Sequence, residues 1–438
     1  MILQPEIELK PWSEQTDHDR PLFTEQVRYL FERSAFYRDK LGAAGFETAD
    51  AVGPLDEISK LPFTEKDELR ASRSDAYPIG THIAAASEDI ARIYSTSGTT
   101  GIPSFIPLTA GDVGNWELTS ARSFAAPGGK RGDRVISTYN AGPFVAGAAL
   151  GAFDKLGFCH IPIGTGNTAR LMTAIDKLKP QMLACTPSYA LHLAEWGRAN
   201  GIDMRATSIE RICTAGEPGG GEPAMRAMLQ EEWNAQVTEA MGIGDIGTSL
   251  WGECNHQQGM HFSARGFVHF ELIDPGSGEN VRLEDSATGE LVLTHLRHRG
   301  APLLRFRTRD HVMMWTGRCA CGRTAPRVRC IGRTDDMFIV RGVNVFPTAV
   351  REIVNEFIPS VSGVISIRPA TKSVNQDPPV RMLVEKAEGL ADAGDLAERM
   401  EARIREVLIA RFKVELVEHG SLPRSEYKSK LIDYADAT

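Results

Sequence analysis

A loop rich in hydroxyls and glycine follows an early strand pattern in this chain. Tyr94-Ser-Thr-Ser-Gly-Thr-Thr-Gly-Ile-Pro103 gathers its small polar residues into one short stretch without an acidic side chain. Phosphate oxygens need hydroxyl and close backbone N–H donors, and glycine lets the backbone approach. Arg92-Ile93-Tyr94 reads as the end of a strand, so the segment predicts a nucleotide's phosphates held in a loop. It is not the common phosphate loop, which closes on Gly-Lys-Ser/Thr. Read alone, the same composition also fits a solvated turn. The segments that accompany it decide between the two.

The chain has 438 residues, enough for two or three domains with ample core. Its 49 Lys+Arg against 57 Asp+Glu give a net charge of -8, which disfavours general nucleic-acid binding. The seven cysteines are an odd count and predict reduced thiols rather than a disulfide framework. The amino terminus lacks the basic start and apolar run of a signal peptide. No window approaches the ~20 apolar residues of a membrane span. These features predict a cytoplasmic enzyme with no membrane or nucleic-acid partner.

The hydrophobic pattern is mixed α/β. Residues 23–41 have helical periodicity, with Val27, Leu30, Phe31 and Phe36 apolar. Residues 135–139 read as a strand and 146–156 as a tightly packed helix. Short buried strands are expected at 159–163 and 182–185, with a helix over 168–178 between them. This alternation predicts a mostly parallel sheet with crossover helices. A more purely β region begins at 289–294. Near Gly332 the texture changes to a smaller α+β unit, with a strand at 337–341, a turn at Arg341-Gly342 and a helix from about Thr348. An amphipathic helix over 392–411 and a last strand at 414–417 follow.

Two further segments matter. Gly332-Arg-Thr-Asp-Asp-Met-Phe-Ile-Val-Arg-Gly342 puts two adjacent carboxylates before an apolar strand, a composition suited to a solvated hinge. Leu422-Pro-Arg-Ser-Glu-Tyr-Lys-Ser-Lys430 is a basic, turn-forming segment near the carboxyl end. With the hydroxyl loop, in this order, they resemble the adenylate-forming ligases, and most closely the phenylacetate–CoA ligase family. Leu61-Pro-Phe-Thr-Glu-Lys66, Thr186-Pro-Ser-Tyr-Ala190, Gly216-Glu-Pro218, Gly259-Met-His261 and Leu304-Arg-Phe-Arg-Thr-Arg-Asp310 fit the same family.

The resemblance implies an α/β fold. A large N-terminal domain of mixed sheets with flanking helices would span 1–332. A small mobile α+β C-terminal domain would span 333–438, hinged near Asp335. It also implies a two-step reaction. A carboxylate attacks the α-phosphate of ATP, pyrophosphate leaves, and a thiol, usually coenzyme A, displaces AMP from the acyl-adenylate. Mg²⁺, loop donors and lysine must neutralise the phosphate. By resemblance Ser95, Ser97, Gly98, Thr99, Thr100 and Gly101 grip phosphate. Ala215, Gly216, Glu217 and Pro218 line the adenine face, and Glu239 faces the adenine amine. Asp310 accepts the ribose hydroxyls, with Arg333 on the ribose side. Lys428 is the mobile-domain lysine that contacts the α-phosphate.

The chain also departs from the family pattern. Met241-Gly242-Ile-Gly244-Asp245 stands where Tyr-Gly and Ser/Thr-Glu are usual, so Met241 and Gly242 would meet adenine without an aromatic face. Asp245 is one methylene shorter than the glutamate that helps hold Mg²⁺. Ser104 replaces a lysine common among adenylate-forming enzymes. Tyr427 replaces the glycine before Lys428, which leaves Lys430 as an alternative catalytic lysine.

Cys254, His261, Cys319 and Cys321 are the expected ligands of a structural Zn²⁺, with His256 and Cys330 as alternates. The acid pocket is expected between 139–147 and 216–243. Tyr139 and Phe144 would be its walls, Gly147 would give room, and Ile243 would lie on the far side. That lining favours an aryl or arylacetic acid. A hydroxy- or amino-substituted aryl acid and a small branched hydroxy acid stay open. So do a carrier-protein thiol or an amine as acceptor, a non-catalytic nucleotide-binding role, and the oligomeric state, a homodimer included.

Overall fold

The computed structural model describes residues 1–96, 104–139, 142, 145–164, 166–424, 430–435 and 437. An eleven-stranded sheet is its backbone. From one edge the strands run Val268–Ile273, Thr288–His295, Phe306–Trp315, Arg327–Arg333, Met260–Phe262, Gly247–Glu253, Gln236–Ile243, Arg211–Ala215, Met182–Cys185, Arg134–Ser137 and Cys159–Pro162. The five strands from Cys159–Pro162 to Gln236–Ile243 are parallel, and the others pair antiparallel. Parallel neighbours need crossovers. The helices Thr168–Leu178, Pro187–Ala199 and Pro223–Trp233 supply them. The carboxyl ends of these strands form the crevice where α/β folds bind ligands.

Local chemistry sets the element ends. The helix Thr168–Leu178 starts where the Asn167 side chain accepts from Arg170 N, and it stops at Lys179 in the left-handed conformation. The helix expected over 23–41 is two helices, Gln15–Arg33 and Ala35–Ala43. Ser34 is extended between them, and its hydroxyl accepts from Tyr37 N. The single helix expected over 146–156 is a 3₁₀ turn, Val145–Ala149, followed by a short α-helix, Gly151–Lys155. Cys159–Pro162 is a strand, but it is the sheet's edge and is not buried; Cys159 is exposed. The amphipathic helix is shorter than expected, Leu396–Leu408.

The large sheet ends at Arg333 and the next strand begins at Phe338, so 334–337 is the connection. Residues between Phe338 and Ile432 build a core of their own around Val350, Ile367, Met382, Val384 and Met400. Phe338–Val340 and Val343–Val345 form a hairpin whose two linking residues, Arg341 and Gly342, both have positive φ, at 50° and 84°. That is the mirror-image turn that suits strand twist.

Gly242 has a structural cause of its own. A Cβ there would lie 1.8 Å from Thr248 O, within the hairpin that joins Gln236–Ile243 to Gly247–Glu253. The backbone carbonyl cannot rotate aside. Gly242→Ala is therefore expected to cost about 3 kcal/mol or more. A denaturant titration showing under ~1 kcal/mol of loss would contradict this packing.

Candidate adenylate-forming site

The site is assembled from strand ends. Register places Thr214 beside Glu239 and Ala215 beside Ala240. The segment 215–218 thus leaves its strand alongside the strand that carries Glu239 and Met241. Gly216, with φ of 99°, makes the exit turn. Glu217 accepts from Ser188 N at 3.0 Å and from Ser188 Oγ, which fixes the segment to the start of the helix Pro187–Ala199. Met241 is half-buried against the core of the antiparallel region.

Glu239 is buried, 6% exposed. Its backbone N–H donates to Glu253 Oε2 at 3.1 Å, and Arg226 Nη2 reaches the same oxygen at 2.5 Å. Burial pushes the Glu239 carboxyl up to about 7, Glu253 adds to the rise, and Arg226 opposes it. The same side chain lines a cavity of about 790 Å³, with Arg226, Glu253, Trp315, Arg327 and Arg329 on its walls. Asp310 and Arg333 are not among the lining residues.

Asp310 and Arg333 are 23 residues apart in sequence and directly opposed in register on antiparallel strands. Arg333 Nη1 donates to Asp310 Oδ1 at 3.2 Å. Its Nε and Nη2 donate to the two oxygens of Asp335, at 2.9 and 2.8 Å. A bulge adjoins Asp310, and Arg309 before it has φ of 66°. That strained conformation is held from three sides. Arg309 O accepts from Thr334 N at 2.7 Å, and its guanidinium reaches Glu65 and Glu290.

Asp245 lies in the turn between Gln236–Ile243 and Gly247–Glu253, where Lys66 Nζ lies 2.8 Å from its Oδ2. Lys66 was legible only as part of a family-like motif, with no role attached. Three consecutive residues tie this region together. Thr64 pairs with the strand of Asp310, donating to Arg305 O and accepting from Arg307 N. Glu65 holds Arg309 at 2.5 Å, and Lys66 holds Asp245.

Ser95 ends the strand Ile90–Ser95 and pairs with Phe105. Thr96 N donates to Ser104 O at 3.0 Å, and Ser104 N to Thr96 Oγ1 at 3.2 Å, so both ends of the hydroxyl loop are fixed together. A Cβ on Gly244 would meet Thr96 and Val145 side chains, each at 3.2 Å, which places the loop's base beside Asp245. Ser97, Gly98, Thr99, Thr100 and Gly101 lie outside the described residues, as do Phe144, Tyr427 and Lys428. Lys430 is exposed and lines an inter-lobe cavity together with Ser188, Glu217, Pro218 and Arg351.

On the expected acid side, Tyr139 is buried and its hydroxyl donates to Cys185 O at 2.9 Å and Ala215 O at 3.4 Å. The turn that carries Gly147 touches the hairpin of Ile243, because Thr248 Oγ1 donates to Val145 O at 3.2 Å.

Cys254, His261, Cys319 and Cys321 converge, with one ligand atom from each within 4.8 Å of the others. Cys254 Sγ and Cys319 Sγ are 3.6 Å apart, and Cys321 Sγ and His261 Nε2 are 3.4 Å apart. A tetrahedral zinc with bonds of ~2.0–2.3 Å sets its ligand atoms roughly 3.5–3.8 Å from one another. His261 Nδ1 faces Ala325 O at 3.4 Å, the kind of partner that orients a ligating imidazole. The alternates are not in this group. His256 lines the Glu239 cavity, and Cys330 Sγ donates to Gly332 O at 3.6 Å.

Comparison with known proteins accords with this geometry. The family described as "AMP-binding enzyme" matches residues 33–295, and "AMP-binding enzyme C-terminal domain" matches 342–434. A phenylacetate-coenzyme A ligase from Thermus thermophilus is 33% identical over 447 aligned positions, covering 97% of each chain. Among solved structures, a 2-hydroxyisobutyryl-CoA ligase in the postadenylation state with 2-HIB-AMP is 26% identical with a TM-score of 0.90, covering 98% of this chain and 91% of its own. The same ligase in the thioesterification state with CoA, covering 99% and 92%, gives 0.72. Similar coverage with a lower score reports a different placement of parts, so the lobes here sit as in the postadenylation state. This chain belongs to the AMP-binding enzyme family and is, in class, an AMP-forming acid–coenzyme A ligase. Among its described residues no helix is long and apolar enough to cross a membrane.

The Glu239 geometry makes a pH prediction. Its carboxyl holds a proton in the folded state up to about 7, against 4.5 when unfolded. Its contribution to stability is therefore present below 4.5 and lost as pH rises through about 7. Glu239→Gln should abolish a loss of roughly 3 kcal/mol between pH 4.5 and 8. Parallel melts of variant and parent across that range check it. Curves that stay parallel would contradict the burial of an ionisable Glu239.

Proposed function

We propose that this ligase activates an aryl or arylacetic acid, phenylacetate foremost, to its acyl-adenylate and passes the acyl group to coenzyme A. The observation that carries the substrate class is Tyr139. Its hydroxyl is engaged by two backbone carbonyls, and its ring belongs to the apolar cluster that includes Ala146, Ala149 and Ala215. The 33% identity to a phenylacetate-coenzyme A ligase across 97% of both chains supports the same choice. A small branched hydroxy acid is the second reading, favoured by the likeness to the 2-hydroxyisobutyryl-CoA ligase. A panel of carboxylic acids with ATP and hydroxylamine trapping separates them. Phenylacetate or a close aryl relative should give the highest kcat/KM, and a preference for 2-hydroxyisobutyrate would reverse the assignment.

The residues act as follows in this reading. Asp310 accepts both ribose hydroxyls, and Arg333 aims that carboxylate. Glu239 meets the adenine amine, while 215–218 and Met241 enclose the ring. The loop 97–101, Thr99 included, and Lys428 meet the phosphates. Asp245 suits magnesium, which takes one or two carboxylates and completes its shell with phosphate and water. When bound, the metal would neutralise phosphate charge. Lys66 stands beside Asp245 and brings a cation to the region where Ser104 leaves none. The connection 334–337 follows the last strand of the large sheet, and the lobe beyond it turns about Asp335 between the two half-reactions. Asp310→Ala should lower kcat/KM for ATP about 10–100-fold, since charge-assisted hydrogen bonds contribute roughly 1.5–3 kcal/mol each. Unaltered ATP kinetics would move the ribose elsewhere.

Cys254, His261, Cys319 and Cys321 hold a structural zinc in this reading. The ion would pin the turn 254–261 to the 319–321 hairpin, away from Asp245. Protein prepared without chelator should contain about one zinc per chain. Cys319→Ser with Cys321→Ser should lower Tm and zinc content together. A metal-free preparation with normal stability would refute the site.

A further inference from the structure

The turn after the segment 215–218 contains three consecutive glycines, and each is crowded by a different neighbour. A Cβ at Gly220 would stand 1.8 Å from Thr214 Oγ1. At Gly221 it would stand 2.4 Å from Glu239 Oε2, and at Gly219 3.0 Å from Pro187 Cβ. The backbone of this turn therefore rests directly on the carboxylate of Glu239. A triglycine run has no side chains to hold it and is intrinsically permissive. Its position must be imposed from outside.

The outside contact comes from the C-terminal lobe. Arg351, on the helix Pro347–Asn355, donates through Nη2 to Pro218 O and to Glu222 Oε1, both at 2.7 Å. Asn355 Nδ2 lies 3.5 Å from Glu222 Oε2. The two partners bracket the glycine run, one residue before it and one after. Arg351 and Glu222 are both buried, with side chains 6% and 9% exposed. Removing one member of such a pair strands the other charge, so the contact is strongly all-or-none. It exists only while the lobe is docked as described, the placement shared with the postadenylation relative and not with its thioesterification state.

We propose that Arg351 is a positioning residue for ATP. By clamping Pro218 and Glu222 it holds the glycine turn against Glu239, so the adenine side is complete only in the adenylation arrangement. When the lobe turns away the clamp opens, the turn relaxes, and the nucleotide side loosens for the departure of AMP. This rests on the reading that 215–218 and Glu239 meet adenine.

Acid-dependent ATP–pyrophosphate exchange tests it with Arg351→Met, Arg351→Lys, Glu222→Gln, the Arg351→Met/Glu222→Gln pair and Glu239→Gln. Arg351→Met should raise the ATP KM at least ~10-fold, with kcat at saturating ATP within ~3-fold and the acid KM unchanged. Arg351→Lys, which keeps the charge but has no planar fork, should fall between. The double variant should be no worse than Arg351→Met alone, because both remove one interaction. Coenzyme A thioester formation from supplied acyl-adenylate should be unimpaired. Glu222→Gln carries the same test if Arg351→Met fails to fold. An ATP KM within ~2-fold of the parent in both single variants would overturn the clamp, as would equal losses for ATP and acid. Glu239→Gln separates the two levels. If it raises the ATP KM and Arg351→Met does not, the clamp alone is wrong. If it leaves the ATP KM unchanged, the adenine assignment falls and the clamp with it.

Discussion

One guanidinium joins the two halves of the candidate site. Arg333 donates to Asp310 with one nitrogen and to Asp335 with the other two. Asp310 lies within the strand Phe306–Trp315 of the large sheet, and Asp335 lies in the connection 334–337 that follows the sheet. A planar fork suits this double duty, since its donors lie in fixed directions and stay charged. The carboxylate proposed for the ribose is thereby held in place by a charged donor.

Beneath this pair the structure relies on charge rather than oil. Glu290 is fully buried, and Arg307 neutralises it through two hydrogen bonds at 2.9 and 2.8 Å. Thr334 Oγ1 adds a third at 3.2 Å. Arg309, Glu65 and Thr334 complete the frame that holds the left-handed residue before Asp310. A buried carboxylate with several charge-assisted donors is rigid, whereas one missing a partner is destabilising. The segment Thr64-Glu65-Lys66 carries that rigidity across to Asp245, so the strand of Asp310 and the turn of Asp245 are tied together by three consecutive residues.

Much of this was legible in the sequence where the signal is local. The helix Thr168–Leu178 was read at its true ends because Asn167 caps it and the apolar period is clean. The hairpin turn at Arg341-Gly342 was visible for the same reason. The break at Ser34 was missed because the apolar period continues through it, although a serine preceding a new helix is a capping signal. The strand Cys159–Pro162 was found but its burial was misjudged, since apolar composition does not tell an edge from a centre. The Cys/His group was readable from residue type, and the fold brings those four together across 67 residues. The Arg351–Glu222 clamp, the Lys66–Asp245 pair and the Glu65–Arg309 pair were not readable. Their partners lie 129, 179 and 244 residues apart, and nothing local marks them. The run Gly219-Gly220-Gly221 was the one available hint, because consecutive glycines indicate close backbone approach.

Adenosine is proposed to sit between Glu239, on the last of the parallel strands, and Asp310, on the antiparallel strand Phe306–Trp315. A crystal structure with a non-hydrolysable phenylacetyl-adenylate analogue tests it most directly. Both ribose hydroxyls are expected within ~3 Å of the Asp310 carboxylate, with the adenine amine at Glu239 and the aryl group against Tyr139. Adenosine bound away from Asp310, in the cavity walled by Trp315 and Arg327, would contradict it.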